Sequence, residues 1–363
     1  MRASALVRPD IATLQPYTPV VPCDVLARRL GRTVDSIVKL NANENPYGPS
    51  PLVRQALADL PFPHIYPDPE SNALREALSA FSGVPVDLLL AGAGADELID
   101  LTMRLFLQPG DGILNCPPTF GMYAFDAAVA GANVVEVPRQ VDFALDLPAI
   151  EAAVERCHPK LLFVTSPNNP DGSVLPDADL QRLLALPLVV VLDEAYVEFA
   201  GRHLSRMSWV SRYENLIVLR TFSKWAGLAG LRVGYGAFPA CIVPDLWKIK
   251  QPYGVSQAAS AAGIAALEDL AWCEHRVALI VQERERLAGL LEGIPYLRPF
   301  PSPSNFVLCR VLGREATQVK DALEREGILI RYYRTPQLKD CFRISVGTPE
   351  QTDTLITALR RLP

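Results

Sequence analysis

Short apolar runs alternate with amphipathic helical patterns through the middle of the chain. Several runs, such as Leu188–Asp193, are continuous rather than alternating, which is typical of strands buried on both faces. Because strand and helix recur about seven times, the pattern predicts an α/β fold, with a mostly parallel sheet covered by helices on both sides. Strands are predicted over Asp87–Ala91, Gly112–Cys116, Asn133–Val137, Lys160–Thr165, Leu188–Asp193, Asn215–Thr221 and Arg232–Phe238, with helices over Asp96–Leu107, Phe120–Ala130 and Asp177–Leu186.

The pattern changes after Val255, where one long helix or two in tandem is predicted over Ala258–Leu291. The following segments predict a compact α+β unit. The residues before Leu40 are rich in proline and lack clear periodicity, which predicts an arm that packs on the smaller domain or on a dimer partner. We therefore expect an arm over 1–50, a large ligand-binding domain over 51–255 and a small carboxy-terminal domain over 256–363. The small domain's strands are predicted over Asn305–Val311, Gly327–Tyr332 and Cys341–Val346, and its later helices over Glu315–Glu326 and Pro349–Leu362.

Composition narrows the possible partners and location of this 363-residue chain. It carries 35 basic and 40 acidic residues, a net charge of −5, which argues against a nucleic-acid partner. The seven cysteines are odd in number and form no CxxC pair, so a reducing compartment is favoured over a disulfide framework or a zinc site. No apolar stretch is long enough to cross a bilayer. These features predict a cytoplasmic protein with no metal, membrane or nucleic-acid ligand.

The clearest chemistry lies where two predicted strands end, which is where ligands bind in open α/β sheets. Asp193 directly follows an apolar run, and a carboxylate buried there needs a cation or hydrogen-bond donors. A simple turn-capping aspartate is an equally good interpretation of that residue taken alone. Lys224 follows the next strand; burial would lower its pKa and make it a nucleophile or base, whereas a solvated loop lysine is the alternative. Thr221, Ser223 and Arg232 beside it offer donors suited to a phosphate.

Other strand ends carry weaker signals. The segment Gly92–Glu97 joins a strand to a helix start, which can bind an anion, although it matches neither the dinucleotide nor the P-loop spacing. Asparagines in Thr165–Gly172 can donate to a phenolate, and a ring in Asn115–Tyr123 can stack on a planar cofactor. A turn and core packing are the respective alternatives. Arg343 lies in an alternating strand, where an inward arginine needs an anion.

Together these segments resemble fold-type I pyridoxal-phosphate enzymes, and the histidinol-phosphate aminotransferase family in particular. The most specific match is Ser223–Arg232, with the sequence SKWAGLAGLR, supported by Ser166–Pro170 and Asp193–Tyr196. The resemblance extends from the segment LNANENP at Leu40–Pro46 to the segment RISVGTP at Arg343–Pro349. It implies the fold-type I architecture, a pyridoxal 5'-phosphate cofactor and a homodimer.

The resemblance also implies a role for each matching residue. Lys224 would bind the cofactor covalently, and Asp193 would pair with its protonated pyridine nitrogen. Arg343 would bind the anionic end of the substrate, with Arg331 as a second candidate unless it is a surface arginine on an edge strand. The remaining cofactor contacts would be Asn169 and Tyr196 to the phenolic oxygen, Tyr123 stacked on the ring, Ala95, Asp96, Thr221, Ser223 and Arg232 around the phosphate, and Tyr66 reaching the phosphate of the neighbouring subunit.

The implied reaction moves an amino group between L-histidinol phosphate and 2-oxoglutarate, giving imidazole-acetol phosphate and glutamate. The alternatives are an aromatic amino-acid aminotransferase of the same fold and a pyridoxal-phosphate lyase such as a threonine-phosphate decarboxylase. A non-catalytic binding protein is disfavoured because the cofactor set is complete. Four places depart from the family's commoner pattern: Asp171 where threonine is usual, Phe120 where tyrosine is frequent, Trp225-Ala226 in place of Ala-Phe, and Gly254 in place of asparagine.

Overall fold

The computed structural model describes residues 2–16 and 21–362. Residues 1 and 17–20, which belong to the predicted arm, and residue 363 lie outside the described residues. A seven-stranded sheet forms the larger half, with the strand order β2-β8-β7-β6-β5-β3-β4. Its strands are β2 (Leu89–Gly92), β3 (Gly112–Asn115), β4 (Asn133–Glu136), β5 (Leu161–Thr165), β6 (Val189–Asp193), β7 (Leu216–Thr221) and β8 (Gly234–Ala237).

The larger sheet is parallel except for β8, which runs antiparallel to both β7 and β2. Its central strands β5 and β7 are buried along their whole length, as their continuous apolar runs predict. The register pairs Thr165 of β5 with Asp193 of β6, so the carboxyl ends of these strands meet at one edge. The predicted mostly parallel α/β fold is therefore confirmed.

Helices cover both faces of this sheet and build much of the rest of the chain. The predicted tandem helices after Val255 are confirmed as two, separated at Asp269. The helices are α1 (Pro9–Thr13), α2 (Cys23–Leu30), α3 (Pro51–Ala58), α4 (Asn72–Ser82), α5 (Ala95–Phe106), α6 (Met122–Val129), α7 (Leu147–Cys157), α8 (Asp177–Leu184), α9 (Val197–Ala200), α10 (Val243–Ile249), α11 (Gln257–Glu268), α12 (Leu270–Glu292), α13 (Ala316–Arg325) and α14 (Pro349–Arg361).

A second sheet of five strands has the order β1-β11-β12-β10-β9. Its first strand comes from the segment that the sequence predicts to be an arm, and this strand pairs in parallel with β11 through Val38 and Ile328. The predicted arm therefore contains strand β1. The sequence did not predict this strand, because the segment lacks clear periodicity. The strands are β1 (Val38–Leu40), β9 (Leu297–Pro299), β10 (Phe306–Val311), β11 (Ile328–Tyr332) and β12 (Cys341–Ser345).

The division of the chain into 1–50, 51–255 and 256–363 stays a prediction. Helix α11 follows the predicted boundary but packs closely against α3 and α4, which precede it. Among the described residues, no helix combines the length and the apolar character that crossing a bilayer requires. All seven cysteines are unpaired thiols.

Candidate active site

A cavity opens at the carboxyl ends of β6 and β7, where the sequence predicts the chemistry. Nine of the predicted site residues line it, brought together from five separate segments of the chain. These nine are Ala95, Asp96, Asn169, Asp193, Tyr196, Thr221, Ser223, Lys224 and Arg232; Phe120, Thr165, Ala195 and Ala229 complete the lining.

Asp193 ends β6 and is only 4% exposed. The Tyr123 hydroxyl donates to its Oδ2 at 2.6 Å, and the backbone N–H of Ala195 donates to its Oδ1 at 3.0 Å. Burial raises the pKa of Asp193 to about 6, while these two donors act in the opposite direction. The carboxylate is therefore ionised at neutral pH and positioned to pair with a cationic group in the cavity.

Lys224 lies on the loop that follows β7, and its Nζ donates to the carbonyl of Ala42 at 3.2 Å. Burial lowers the pKa of Lys224 to about 8, and the positive charge of Arg343 acts in the same direction. A substantial fraction of this amine is therefore neutral near physiological pH. A neutral amine can attack an aldehyde or accept a proton, so the side chain has the chemistry that the sequence predicts.

One end of the cavity is built to bind an anion. Helix α5 begins at Ala95, so its first backbone N–H groups face this end. Gly94 precedes it with φ of 85°, and a Cβ there would lie 2.6 Å from Arg232 Nη2. Arg232 Nη2 donates to Asp96 Oδ2 at 2.7 Å, and both side chains are about half exposed. Thr221 and Ser223, whose hydroxyls lie 2.9 Å apart, add further donors.

Asn169 and Tyr196 line the cavity, and behind them lie Asn43 and the buried guanidinium of Arg343, which are not themselves part of the lining. Tyr196 accepts hydrogen bonds from Asn43 Nδ2 at 3.1 Å and from Asn169 Nδ2 at 3.4 Å. Arg343 donates from Nη1 to Asn169 Oδ1 and from Nη2 to the carbonyl of Asn41 at 3.1 Å. Burial raises the pKa of Tyr196 to about 12, so its hydroxyl is a stable donor or acceptor at neutral pH.

Arg343 is 6% exposed, and its buried Nε has no hydrogen-bond partner among the described residues. No carboxylate within the described chain forms an ion pair with it. Its guanidinium carbon lies 5.2 Å from the centre of the Phe306 ring. A buried cation that is satisfied only by neutral groups attracts an anionic ligand.

Tyr123 does not have the predicted stacking position, and this expectation is corrected. Its ring is fully buried and stacks on Phe163 of β5 with centroids 4.9 Å apart, while its hydroxyl points at Asp193. Helix α6 begins at Met122, so the first helical turn directs Tyr123 towards the sheet. Phe120 precedes the helix and lines the cavity instead.

Tyr66 and Arg331 lie outside this cavity. Tyr66 is 77% exposed and stacks on Tyr253 with centroids 4.6 Å apart, so its predicted contact with a neighbouring subunit stays a prediction. Arg331 pairs directly with Arg343 across β11 and β12, which places both side chains on one face of the sheet. It lines an adjacent cavity that also includes Asn41.

The segment Asn41–Asn43 belongs to the site, although sequence reasoning assigned it no role. It follows β1 and supplies two backbone carbonyls and an amide to Lys224, Arg343 and Tyr196. The signal available in the sequence was the run of three asparagines within residues 41–45. Such a run after a strand favours side-chain to backbone hydrogen bonds over regular structure.

These groups fit a phosphorylated pyridine aldehyde. Lys224 is the amine for the aldehyde, and the ionised, buried Asp193 suits a protonated ring nitrogen. The start of α5 with Arg232 suits the phosphate. The phenol and amide pair at Tyr196 and Asn169 suits an anionic ring oxygen. Each functional group of such a cofactor thus has a chemical counterpart in the cavity.

Comparisons with known proteins agree with this chemistry. The family described as aminotransferase class I and II matches residues 35–359. The chain is 56% identical over 357 residues to the chloroplastic histidinol-phosphate aminotransferase of Nicotiana plumbaginifolia, covering 98% of this chain and 86% of that protein. It is 52% identical over 367 residues to the histidinol-phosphate aminotransferase of Roseiflexus castenholzii, covering 99% and 98%.

A solved structure extends the similarity to three dimensions. Histidinol-phosphate aminotransferase from Sinorhizobium meliloti, crystallised with pyridoxal-5'-phosphate, superposes with a TM-score of 0.89 at 31% identity, covering 98% of each chain. The resemblance seen in the sequence is thereby confirmed. The chain belongs to the histidinol-phosphate aminotransferase family, within the pyridoxal-phosphate-dependent aminotransferases of class I and II.

Proposed function

We propose that this chain transfers the amino group of L-histidinol phosphate to 2-oxoglutarate, giving imidazole-acetol phosphate and glutamate, a step of histidine biosynthesis. The observation that carries the proposal is the buried Lys224 amine in one cavity with Asp193 and Arg232, with Arg343 hydrogen-bonded to Asn169 of the cavity lining. The family membership favours the same substrate pair.

Bound pyridoxal phosphate supplies an electron-poor ring that accepts the electron pair left when the substrate's Cα loses its proton. Lys224 Nζ, which lines the cavity, would hold the cofactor through its aldehyde. The pKa of about 8 leaves a substantial fraction of this amine neutral near pH 8, so Lys224 would be the base that accepts the Cα proton.

The other cavity residues hold the cofactor in place. Asp193 keeps the ring nitrogen protonated, because an ionised carboxylate in a buried site favours a cationic partner. Asn169 and Tyr196 would donate to the phenolic oxygen, and Phe120, which lines the cavity, would take the ring-contacting role that the sequence analysis gave to Tyr123. The start of α5 at Ala95 and Asp96 would hold the phosphate, together with Thr221, Ser223 and Arg232.

Arg343 recognises the anionic end of both substrates. One substrate carries a phosphate and the other a carboxylate, and a planar guanidinium fork donates two parallel hydrogen bonds to either group. Its present partners, an amide oxygen and a backbone carbonyl, are neutral, so an incoming anion meets an uncompensated charge. Arg331, on the same face of the sheet, widens this positive region.

We also infer that the active form is a homodimer in which Tyr66 reaches the phosphate of the neighbouring subunit. Phe62, Ile65, Tyr66 and Tyr253 are large apolar side chains that are 44–77% exposed in the single chain. Exposed apolar clusters of this kind favour burial at an interface. A Tyr66→Phe variant should bind pyridoxal phosphate more weakly and keep its dimeric mass in analytical ultracentrifugation.

Mixed dimers test the shared site directly. If Tyr66 serves the neighbouring cavity, a hybrid of Lys224→Ala and Tyr66→Phe chains contains one wild-type site, built from the intact Lys224 of one chain and Tyr66 of the other. That hybrid should recover about half of the wild-type activity. Activity no greater than the average of the two parent variants would contradict the shared site.

A cytoplasmic location is the last part of the proposal. Its support is the set of seven free thiols, which persist in reducing compartments. The plant relative is chloroplastic by name, so cell fractionation of the native host is the appropriate measurement.

A substrate panel tests the reaction. Values of kcat/KM should be highest for histidinol phosphate, compared with phenylalanine, tyrosine and threonine phosphate, in the presence of 2-oxoglutarate. Preference for phenylalanine or tyrosine would favour the aromatic aminotransferase, and CO2 release without an oxo-acid acceptor would favour the lyase. Borohydride reduction followed by peptide mass spectrometry should place the cofactor on Lys224.

A further inference from the structure

The contact between Tyr123 and Asp193 indicates a role for Tyr123, which the proposed cofactor contacts do not use. Both side chains are buried, and their oxygens lie 2.6 Å apart. That separation is typical of a hydroxyl that donates to an ionised carboxylate, which forms shorter bonds than a neutral acceptor. The Tyr123 ring itself is fixed by stacking on Phe163, so the hydroxyl has little freedom to turn away.

The proton count fixes the direction of the hydrogen bonds. The Tyr123 oxygen also lies 2.8 Å from Thr165 Oγ1, and a phenol carries a single proton. An ionised Asp193 can only accept, so Tyr123 donates to Asp193 and Thr165 donates to Tyr123. A hydroxyl that accepts one hydrogen bond becomes a stronger donor of the next.

The other charged and titratable groups around Asp193 come from three elements. Asp96 on α5 adds negative charge, Lys224 after β7 adds positive charge, and Tyr196 follows β6. Burial opposes ionisation of Asp193 more than any neighbour does, and the Tyr123 hydroxyl is the largest influence that favours ionisation. Burial also raises the pKa of Tyr123 well above its usual range, so its proton stays on the phenol.

We propose that Tyr123 is a positioning residue whose hydroxyl holds the Asp193 carboxylate ionised and directed into the cavity, with Thr165 strengthening that hydrogen bond. The consequence for the reaction is that the proton shared with the cofactor lies on the ring nitrogen rather than on Asp193. This part rests on the proposed placement of the cofactor, whereas the effect on Asp193 itself does not.

The first measurement is the titration of Asp193 in the full-length, cofactor-free chain. Carbon-13 NMR of chains labelled at the aspartate carboxyl gives its midpoint, and an Asp193→Asn variant identifies the signal. Tyr123→Phe should move that midpoint upwards by about one to two pH units, because a hydrogen bond to a charged group is lost. Tyr235→Phe is the matched control, since Tyr235 is fully buried in the same sheet and its hydroxyl has no hydrogen-bond partner among the described residues.

Thr165→Val provides a second, milder variant. It removes the donor to Tyr123 and leaves the phenol in place, so the Asp193 midpoint should rise by less than in Tyr123→Phe. The expected order of the shift is Tyr123→Phe, then Thr165→Val, then no shift in Tyr235→Phe. Midpoints in both Tyr123→Phe and Thr165→Val that equal the control would overturn the proposal.

The second measurement uses the cofactor-loaded enzyme and does not depend on turnover. Nitrogen-15 NMR of enzyme loaded with ring-labelled pyridoxal phosphate should report a protonated nitrogen in the wild type and in Tyr235→Phe. In Tyr123→Phe the signal should move towards that of a neutral pyridine. An unprotonated nitrogen already in the wild type would contradict the proposed cofactor placement, whereas a protonated nitrogen that Tyr123→Phe leaves unchanged would contradict the role of Tyr123 alone.

Discussion

Arg232 lines the cavity and Arg343 lies behind its Asn169 wall, and the two arginines have different hydrogen-bond partners. Arg232 is about half exposed and forms an ion pair with Asp96 at 2.7 Å, beside the start of α5. Arg343 is almost fully buried, and its hydrogen bonds run to an amide oxygen and a backbone carbonyl. The charge of Arg232 is neutralised by Asp96, whereas the charge of Arg343 has no acidic partner among the described residues.

This difference matches two kinds of anion. A phosphate that stays bound through many turnovers can rely on backbone N–H groups, with a paired arginine adding only part of the binding free energy. Substrates that exchange at each half-reaction need a strong, local attraction that vanishes when they leave. A buried, uncompensated guanidinium provides that attraction, since the low-dielectric surroundings strengthen its field.

The largest expected effect comes from a change that touches neither arginine. Lys224→Ala should lower kcat by about 10⁴-fold, because the amine that moves the proton is gone. Arg232 and Arg343 remain, so pyridoxal phosphate should still bind without a covalent bond, and isothermal titration should still detect substrate binding. If substrate affinity fell together with kcat, then binding by the arginines and proton transfer by Lys224 would not be separate functions.

Arg343→Met should produce the next largest effect. We expect kcat/KM to fall by about 10³-fold for both histidinol phosphate and 2-oxoglutarate, since each loses its charged partner. The dissociation constant of pyridoxal phosphate should change by less than about threefold, because Arg343 is not a lining residue of the cavity and contacts it only through Asn169. An equal loss of cofactor affinity would contradict the division of labour between the arginines.

Arg232→Met should weaken cofactor binding rather than substrate binding, and its effect should be smaller than that of Arg343→Met. The dissociation constant of pyridoxal phosphate should rise by about 10- to 100-fold, because one of several phosphate contacts is removed. With saturating cofactor, KM for histidinol phosphate should stay within about threefold of wild type. Equilibrium dialysis at several cofactor concentrations separates the two effects.

Replacement of Lys224 should also change how the stability of the cofactor-free chain depends on pH. Its pKa is about 8 in the folded chain and near 10.5 when unfolded, so the folded state binds its proton less well. The resulting cost to stability is complete below about pH 8 and disappears as the pH approaches 10.5. Lys224→Met should therefore be more stable than wild type at pH 7 in urea unfolding, and the gain should shrink by pH 10. A gain of the same size at both pH values would show that the lysine's charge is not its source.

The smallest effect should come from Asp96→Asn. The ion pair with Arg232 is exposed, and such pairs contribute about 0–1 kcal/mol. Pyridoxal phosphate affinity should change by less than about fivefold, and the change should shrink further in 0.5 M salt because exposed charges are screened. A larger, salt-independent change would mean that Asp96 does more than neutralise Arg232.

The larger sheet and its catalytic edge were predictable because their signals are local. Each continuous apolar run marks a buried strand, and the polar residue at its end must lie at the carboxyl edge of a parallel sheet. That rule points to Asp193 at the end of β6 and to Lys224 just after β7, and the alternatives of a turn-capping aspartate and a solvated lysine were separated from it by the resemblance. The orientation of Arg343 was predictable for a similar reason, because the alternation of side chains along β12 predicts which face of the sheet its side chain occupies.

Two features could not be predicted from the sequence. One is the direction of the side chains at the start of α6, and the other is the pairing of strands that lie far apart in the chain. The choice between Phe120 and Tyr123 as the ring that lines the cavity depends on where α6 begins, and a shift of one residue turns a side chain by about 100°. The placement of Asn41 and Asn43 depends on the parallel pairing of β1 with β11, nearly 300 residues later. No local pattern encodes such a contact.

That distant pairing has a mechanical consequence. The three residues after β1 are bonded to both halves of the molecule: Asn43 contacts Tyr196 on one side and Ser345 and Asn305 on the other. If the smaller sheet moves relative to the larger one, Asn43 must move with it or lose some of these hydrogen bonds. The hydrogen bonds of Asn43 therefore couple the position of the smaller sheet to Tyr196, which lines the cavity.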